Sequence, residues 1–372
     1  HLPALFFMLE ANNSLSKIAP LQQWTKQQKV PFVIAGPCSA ETETQVQNTV
    51  KSIVEFAPQV SMLRAGIWKP RTRPNSFEGV GEIGLSWIKN ASVEVGLPVI
   101  VEVANPQHVE QCLRAGIDAL WIGARTTVSP FNIQEIADSL RGINIPVLVK
   151  NPVNPDIELW LGAIERFYNV GIDKLAAIHR GFSIYGKSIY RNPPMWEIPI
   201  ELRRRFPQIP IIVDPSHIGG SSDLVQPLSQ QAMDMGFEGL MIETHENPEK
   251  AWSDAKQQIT PKILGEILQK LEVCATKIEK NNLEHLSELR TQIDRIDDYL
   301  VELMGERMQI SEQIGNLKKE HRLTIHQAER WAEIVKRALE KSKQTGLTEE
   351  FILKLFQQIH NESIRHQEKI MK

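Results

Sequence analysis

Short apolar runs alternate with longer amphipathic stretches from about residue 32 to residue 243. The runs are FVIAG, SMLRAG, PVIVEV, ALWIGA, PVLVKN, KLAAIHRG, PIIVDPS and GLMIET, and each has the length of a β-strand. Because they are apolar at nearly every position, they predict strands that are buried on both faces, as in a parallel sheet. Eight such βα units predict an α/β fold, a TIM (β/α)8 barrel, with PKILGEILQKL at residues 261 to 271 as its last helix.

The pattern changes after residue 272, where strand-like runs give way to helical periodicity. From residue 286 the apolar residues recur at steps of three and four, which predicts a helix with a heptad seam. Arg307 occupies the one seam position that should be apolar. Two shorter helices follow, the second of them capped by Thr348. We therefore predict a barrel domain at 1–272, a linker at 273–284 and a small all-α domain at 285–372.

The composition narrows the classes of function. The formal net charge of the 372 residues is -3, which gives no reason to expect nucleic acid or an anionic membrane as a partner. No apolar run reaches the length of a membrane span. The three cysteines are too few and too dispersed for a disulfide framework, so we expect a reducing, cytoplasmic compartment.

Polar side chains fall at the C-terminal ends of the predicted strands, where TIM barrels build their active sites. They are Cys38, Arg64, Lys69, Arg71, Glu102, Arg125, Lys150, Arg180, Asp214, His217 and Glu243. Any one of them could be an ordinary charge at the barrel rim, but eleven spread over all the strands favour a functional site. The cations among them predict an anionic substrate with more than one phosphate or carboxylate group.

Four side chains near the same strand ends could hold a metal ion. Cys38, His217 and Glu243, with Asp254 as a further candidate, offer one soft and three harder ligands. Such mixed ligation suits Mn, Fe, Co or Zn better than Mg or Ca. The residues are dispersed and fit no short metal motif, so a small buried cysteine at a turn is the alternative for Cys38.

Eight stretches of the barrel resemble one family. They are AGPCS, KPRT, IGARTT, VKNP, HRGF, DPSH, IETH and SDAKQQI, in the family's order. On these stretches the chain is similar to 3-deoxy-D-arabino-heptulosonate 7-phosphate (DAHP) synthases, which condense phosphoenolpyruvate (PEP) with erythrose 4-phosphate and release phosphate. The resemblance implies one divalent metal ion, with Mn as the first choice, bound by Cys38, His217, Glu243 and Asp254.

The resemblance also implies roles for the other strand-end residues. Lys69 and Glu102 would be catalytic, with Glu102 near the water that attacks PEP. The substrate-binding residues of the barrel would be Arg64 and Lys69 near the PEP carboxylate, Arg125, Lys150 and Arg180 on PEP, and Arg71 and Thr72 on erythrose 4-phosphate.

A sister family, which makes 3-deoxy-D-manno-octulosonate 8-phosphate, is the alternative within this fold. Its members carry a Lys-Ala-Asn-Arg-Ser type of stretch where this chain has KPRT, which favours the erythrose substrate. His179 is a departure from the DAHP synthases, which often have Glu before the Arg-Gly pair. A purely structural barrel conflicts with the ring of cations.

The helical domain resembles the all-helical chorismate mutases over residues 283 to 371. The resemblance implies that the substrate is bound by Arg290, Arg307, Lys318, Arg330 and Gln367, with Lys318 and Gln367 as the catalytic donors to the ether oxygen. Such an enzyme needs cations that hold two carboxylates in the reactive conformer, not a nucleophile. Arg307 on the apolar seam would then await an anion, and a structural buried ion pair is its alternative.

Two residues of the helical domain depart from that family. Trp331 stands where it usually has Glu, and Gln327 where it usually has an acid. The alternative is therefore a domain with weak catalysis that senses chorismate or prephenate and mediates dimerisation.

The seam also predicts assembly and regulation. Arg290 and Arg307 lie about 25 Å apart on one straight helix, too far to contact the same chorismate. An antiparallel partner helix would bring the two residues together, so we expect a homodimer through the helical domains. Because the barrel begins near the start of the chain, we expect any feedback site to lie in the helical domain.

Overall fold

The computed structural model describes residues 17–24, 29–69, 76–273, 280–324 and 328–371. The chain divides into two compact units, residues 1–276 and 277–372, and each is described by itself. Arg71, Thr72 and Gln327, and residues 274–279 of the predicted linker, lie outside the described residues.

The first unit is a closed barrel of eight parallel strands in sequence order, which confirms the predicted fold. The strands are Phe32–Gly36 (β1), Met62–Ala65 (β2), Val99–Val103 (β3), Ala119–Ile122 (β4), Val147–Lys150 (β5), Leu175–His179 (β6), Ile211–Val213 (β7) and Gly239–Glu243 (β8). Strand β1 pairs with β2 on one side and with β8 on the other, and this last pairing closes the barrel.

Among the described residues of this unit, ten α-helices connect or cover the strands. They are Glu43–Phe56 (α1), Ile83–Val95 (α2), Pro106–Arg114 (α3), Ala124–Thr127 (α4), Pro130–Ser139 (α5), Ile157–Asn169 (α6), Glu197–Arg205 (α7), Pro215–Gly219 (α8), Val225–Asp234 (α9) and Pro261–Lys270 (α10). Helix α10 packs against α1, where Gly265 approaches so closely that an added Cβ would lie 2.0 Å from the Phe56 carbonyl oxygen.

The alternation of side chains along the strands separates two sets of buried residues. One set faces the helices, and the other fills the barrel interior with apolar side chains that include Met62, Ile100, Leu148, Ile212 and Met241. Two residues after each of these, on the same face of the strand, stands a charged residue at the C-terminal end. Those residues are Arg64, Glu102, Lys150, Asp214 and Glu243. The period of two therefore places a ring of charge directly above an apolar plug.

Where the structure describes the second unit, it consists of three helices, Lys280–Glu320 (α11), Ala328–Ser342 (α12) and Glu349–Met371 (α13). Thr348 caps α13 as predicted, because its hydroxyl accepts a hydrogen bond from the Phe351 amide. Helix α11 begins at Lys280, within the range predicted as linker. Helix α13 packs against both α11 and α12. The apolar seam of α11 is exposed at Ile293, Ile296 and Leu303, each more than half accessible.

Among the helices in the described ranges, none combines the length and the apolar character that crossing a membrane requires.

Candidate active sites

The residues that end β1 place the Cys38 thiol at the C-terminal end of the barrel. Gly36 has φ +151°, and an added Cβ would lie 2.1 Å from the Arg64 carbonyl oxygen, so only glycine fits there. Pro37 then ends the strand because it lacks a backbone donor. Cys38 is fully buried, and its amide donates to Gln258 Oε1 at 3.0 Å. The turn is thereby fixed with the thiol at the strand end.

The cations of the barrel are buried beside two buried carboxylates. Lys150 Nζ lies 2.9 Å from Asp214 Oδ2, and Arg64 Nη2 lies 3.1 Å from Glu243 Oε1. Arg180 is also buried, and burial lowers its pKa to about 10, with Arg125 and Arg191 adding to the decrease and Asp214 opposing it. Within the described part of the chain, Nε and Nη1 of Arg64 are buried without a hydrogen-bond partner. Such donors fit an anionic ligand.

The four predicted metal ligands lie in the same pocket. Cys38 Sγ is 3.4 Å from Asp254 Oδ2, and His217 Nε2 is 3.7 Å from Glu243 Oε1. Lys69 Nζ donates to Cys38 Sγ at 2.7 Å, and Arg191 Nη1 donates to Asp254 Oδ1 at 2.9 Å. Lys69 and Arg191 therefore contact the sulfur and carboxylate atoms that would bind a metal ion. In the described ranges, no three His, Cys, Asp or Glu side chains converge as metal ligands.

The titratable groups around Cys38 shift one another's pKa. Burial raises the pKa of the Cys38 thiol to about 12, and Glu243 adds to the increase. Burial opposes ionisation of Glu243, but His217, Arg64 and Lys69 hold its pKa at about 2. The pKa of Asp254 is also lowered, by Arg191 and Lys69 against the effect of burial. Two carboxylates, an imidazole and a thiol fit a divalent transition metal in the chemistry of their donor atoms.

Two residues of this pocket were missed from the sequence. Gln257 Nε2 donates to Glu243 Oε2 at 2.6 Å, and Arg191 Nη1 donates to Gln257 Oε1 at 2.6 Å. Arg191 therefore contacts Asp254 directly and Glu243 through Gln257. Gln257 belongs to the SDAKQQI stretch, and this motif was the sequence feature that could have indicated it. Arg191 lies in a long loop that has no sequence pattern.

His179 lies at the end of β6 and belongs to an aromatic cluster. Its ring is 5.2 Å from that of Trp196, 5.7 Å from that of Phe182 and 6.4 Å from that of Trp160, between centroids. Burial, together with Arg180, lowers the pKa of His179 to about 3. The side chain is therefore a neutral packing group at physiological pH.

The helical unit brings together three of its five predicted site residues. Lys318 Nζ donates to Gln367 Oε1 at 3.1 Å, and Arg307 Nη1 contacts the Ser363 hydroxyl. Gln367 Nε2 donates to Ser311 Oγ at 3.0 Å. Burial lowers the pKa of both Arg307 and Lys318. Ser311 and Ser363 were missed from the sequence, although each lies four residues from a predicted site residue on its own helix.

The other two predicted cations lie apart from this cluster. Arg290 is exposed on α11, and Arg330 forms an ion pair with Glu333 at 2.9 Å, on an exposed part of α12. Trp331 stacks on His360, with ring centroids 4.5 Å apart. A single chain therefore brings together three of the five residues predicted for the mutase site.

A closed parallel barrel that buries cations above an apolar plug, at the C-terminal ends of its strands, defines an enzyme of the (β/α)8 class. The sequence comparisons give the particular family. Residues 21–280 match the model of the DAHP synthetase I family, and residues 289–368 match chorismate mutase type II. The chain belongs to the DAHP synthetase I family and carries a C-terminal chorismate mutase type II domain. Enzymes of this synthase family typically depend on a metal ion.

Individual relatives agree with this assignment. The chain is 35% identical over 243 residues to phospho-2-dehydro-3-deoxyheptonate aldolase of Thermotoga maritima, covering 65% of this chain and 69% of the relative. A crystal structure of that DAHP synthase matches with TM-score 0.58 over 64% of this chain and 67% of that chain. A 2-dehydro-3-deoxyphosphooctonate aldolase of Polaromonas naphthalenivorans is 26% identical over 263 residues, covering 64% of this chain and 88% of the relative.

We expect His179→Phe to reduce the acid sensitivity of the barrel. The unfolded chain protonates this histidine below about pH 6.5, whereas the folded barrel does so only near pH 3. The histidine therefore costs stability as the pH falls between these values, by about 1.4 kcal/mol per pH unit. Urea unfolding followed by tryptophan fluorescence at about pH 7.5 and about pH 5 should show a smaller loss of stability for the variant.

Phe182→Leu is the control, because it alters the same aromatic packing without removing a titrating group. It should leave the pH dependence unchanged. An equal loss of stability in His179→Phe and in the unaltered chain would contradict a neutral buried histidine.

Proposed function

We propose that the barrel condenses PEP with erythrose 4-phosphate to give DAHP and phosphate, and that the helical domain rearranges chorismate to prephenate. The observation that carries the first proposal is the buried Arg64, whose Nε and Nη1 find no hydrogen-bond acceptor among the described residues. A buried guanidinium of this kind supports binding of an oxyanion. A direct assay of DAHP formation from the two substrates tests it.

The cations at the strand ends can be assigned to different anionic groups of PEP. Lys150 and Arg180 are buried and would bind PEP together with the exposed Arg125, while Arg64 and Lys69 would contact its carboxylate. Their mutual repulsion in a site shielded from water is relieved when the anion enters, which supports ordered binding of PEP to a preformed pocket. Arg71 and Thr72, proposed for erythrose 4-phosphate, rest on their motif alone.

The reaction forms one carbon–carbon bond and releases phosphate. C3 of PEP attacks the aldehyde carbon, water adds at C2, and the phosphate group leaves from C2. Glu102 at the end of β3 would accept the proton of the attacking water, because a carboxylate at that position faces the same pocket as the cations. Lys69, whose ammonium donates to Cys38 Sγ, would protonate the aldehyde oxygen as the bond forms.

Cys38, His217, Glu243 and Asp254 would hold the divalent metal, for which Mn, Fe, Co and Zn are the candidates. When bound, it would supply a Lewis acid for the aldehyde of erythrose 4-phosphate. Arg191 and Gln257 would orient Asp254 and Glu243, as their hydrogen bonds indicate.

The alternative barrel reaction uses a pentose phosphate in place of erythrose 4-phosphate, as in the phosphooctonate relatives. The KPRT stretch and the higher identity to the Thermotoga synthase favour erythrose 4-phosphate. Comparing the two sugar phosphates as substrates separates these possibilities.

For the helical domain, the cluster of Arg307, Lys318 and Gln367 supports binding of a dicarboxylate. Arg307 would hold one carboxylate, and Lys318 and Gln367 would donate to the ether oxygen as negative charge develops there. No covalent intermediate is required. The alternative, a sensing and dimerisation module with weak catalysis, is supported by Trp331 on His360 and by Arg330 paired with Glu333. Conversion of chorismate to prephenate by the intact chain distinguishes the two.

Metal removal should separate the two activities. We expect chelation, or Cys38→Ala, to reduce DAHP formation to below about one hundredth and to leave the mutase unchanged, since only the barrel uses the metal. Metal content and both rates should be measured together. Cys112→Ala is the matched control, because Cys112 is a buried cysteine on α3 outside this pocket. Full synthase activity in metal-free enzyme would show the assignment to be wrong.

Feedback should act through the helical domain. We expect prephenate or chorismate to inhibit DAHP formation by binding at Arg307 and changing the state of the barrel. In the full chain, Arg307→Ala should then raise the concentration of prephenate needed for half inhibition by about tenfold or more. Arg365→Ala, an exposed arginine on the same domain, should leave it unchanged. Equal inhibition of Arg307→Ala and unaltered enzyme would place the sensor elsewhere.

Subunit mixing tests the proposed homodimer. If each mutase site takes Arg290 from the partner, Arg290→Ala and Arg307→Ala should each be nearly inactive, because each damages both sites. An equal mixture should recover about a quarter of the sites, since half the dimers are mixed and each carries one intact site. A monomer with full mutase activity, or no recovery after proven exchange, would exclude the shared site.

A further inference from the structure

Trp121 lies in the barrel interior, beside charged groups at the strand ends. It is an interior residue of β4, fully buried, and its Cα is in register with that of Glu102 on β3 and that of Leu148 on β5. Two residues further along the chain, just after β4, stands Gly123, which has no side chain. The Glu102 carboxylate occupies the space that a side chain would take there.

The indole contacts three groups of the pocket at once. The Arg64 guanidinium lies 5.0 Å and the Lys150 ammonium 5.7 Å from the ring centroid, both within the range of cation–π attraction. The indole Nε1–H donates to Glu102 Oε2 at 3.0 Å. On the other side of this carboxylate, a Cβ added at Gly123 would lie 2.1 Å from Glu102 Oε1. Glu102 is thus held between an indole donor and a glycine.

These contacts give one side chain two separable effects. The electron-rich face of the ring attracts two cations that would otherwise repel each other in a site poor in water. The positive edge of the same ring holds the carboxylate in one orientation. A purely apolar residue could fill the volume but supply neither effect.

We propose that Trp121 is a positioning residue for the condensation: its face holds the PEP-binding cations Arg64 and Lys150, and its N–H orients Glu102 toward the attacking water. This inference rests on the proposed function of the barrel. On this proposal, the face of the indole ring affects the Kd for PEP, and the indole N–H affects kcat.

Two variants of the full-length enzyme separate these effects. Trp121→Phe keeps an aromatic face and loses the donor, so kcat should fall about tenfold while the Kd for PEP changes less than about threefold. Trp121→Leu loses both, so the Kd for PEP, measured by calorimetry without erythrose 4-phosphate, should also rise about tenfold. Gly123→Ala displaces the Glu102 carboxylate and should reproduce the fall in kcat, because its backbone at φ -71° accepts alanine.

Trp160→Phe is the matched control for lost packing. Trp160 is equally buried, and its Nε1–H donates to the Val149 carbonyl oxygen at 3.0 Å from α6, outside the barrel interior. It should lower the melting temperature about as much as Trp121→Phe and leave kcat and the Kd for PEP unchanged.

The outcomes are distinct. An unchanged kcat in Trp121→Phe together with an unchanged Kd in Trp121→Leu would overturn the proposal, as would equal kinetic losses in Trp160→Phe. If the unaltered enzyme neither bound PEP nor formed DAHP, the proposed function would fall and the role of Trp121 with it.

Discussion

The burial of like charges at one end of the barrel is the constraint on which the rest of the structure depends. Lys150, Arg64 and Arg180 would be unstable in an apolar interior, and two buried carboxylates, Asp214 and Glu243, offset part of their charge. The remaining hydrogen-bond donors of Arg64 are held unpaired within the described residues. The apolar plug below and the helices around it provide the rigidity that keeps these charges in place.

The helical domain also buries like charges, but it buries fewer of them and only in part. Arg307 and Lys318 lie on one helix, partly buried against α13, where the Ser363 hydroxyl contacts Arg307 and the Gln367 carbonyl oxygen accepts from Lys318. Gly315 allows this close packing, because an added Cβ would lie 3.3 Å from Cα of Gln367. Neutral oxygens position a cation without cancelling its charge, so the cluster keeps its attraction for an anion.

The fold could be predicted from the sequence because each buried strand is a short run that is apolar at nearly every position, and the polar residues that end these runs mark the candidate site. Each predicted run became a strand, and the interior alternation placed Arg64, Glu102, Lys150 and Glu243 on one face. Residues in loops were harder, because Arg191 reaches Asp254 only through the tertiary fold. The metal-ligand set stays a prediction: its donors share a pocket but contact cations.

The helical domain limits prediction in another way. The first helix and the misplaced Arg307 followed from the heptad pattern, and the start of α13 followed from the Thr348 cap. The sequence pattern does not show whether Arg330 faces a substrate. An exposed arginine on a helix can pair with an acid one turn away, as Arg330 does with Glu333, or can bind a ligand. Ser311 and Ser363 escaped notice because serine in a helix carries no periodic signal of its own.

The pairing of β1 with β8 has a consequence for synthesis of the chain on the ribosome. The two strands share five register pairs, from Phe32 with Gly239 to Gly36 with Glu243, although they are far apart in sequence. At about 5–20 residues per second, β8 emerges roughly 10–40 s after β1. During that interval one edge of the nascent sheet has no partner and is open to wrong pairing. Helix α10, whose Gly265 meets Phe56, is made later still, so its packing against α1 can form only after β8 has been made.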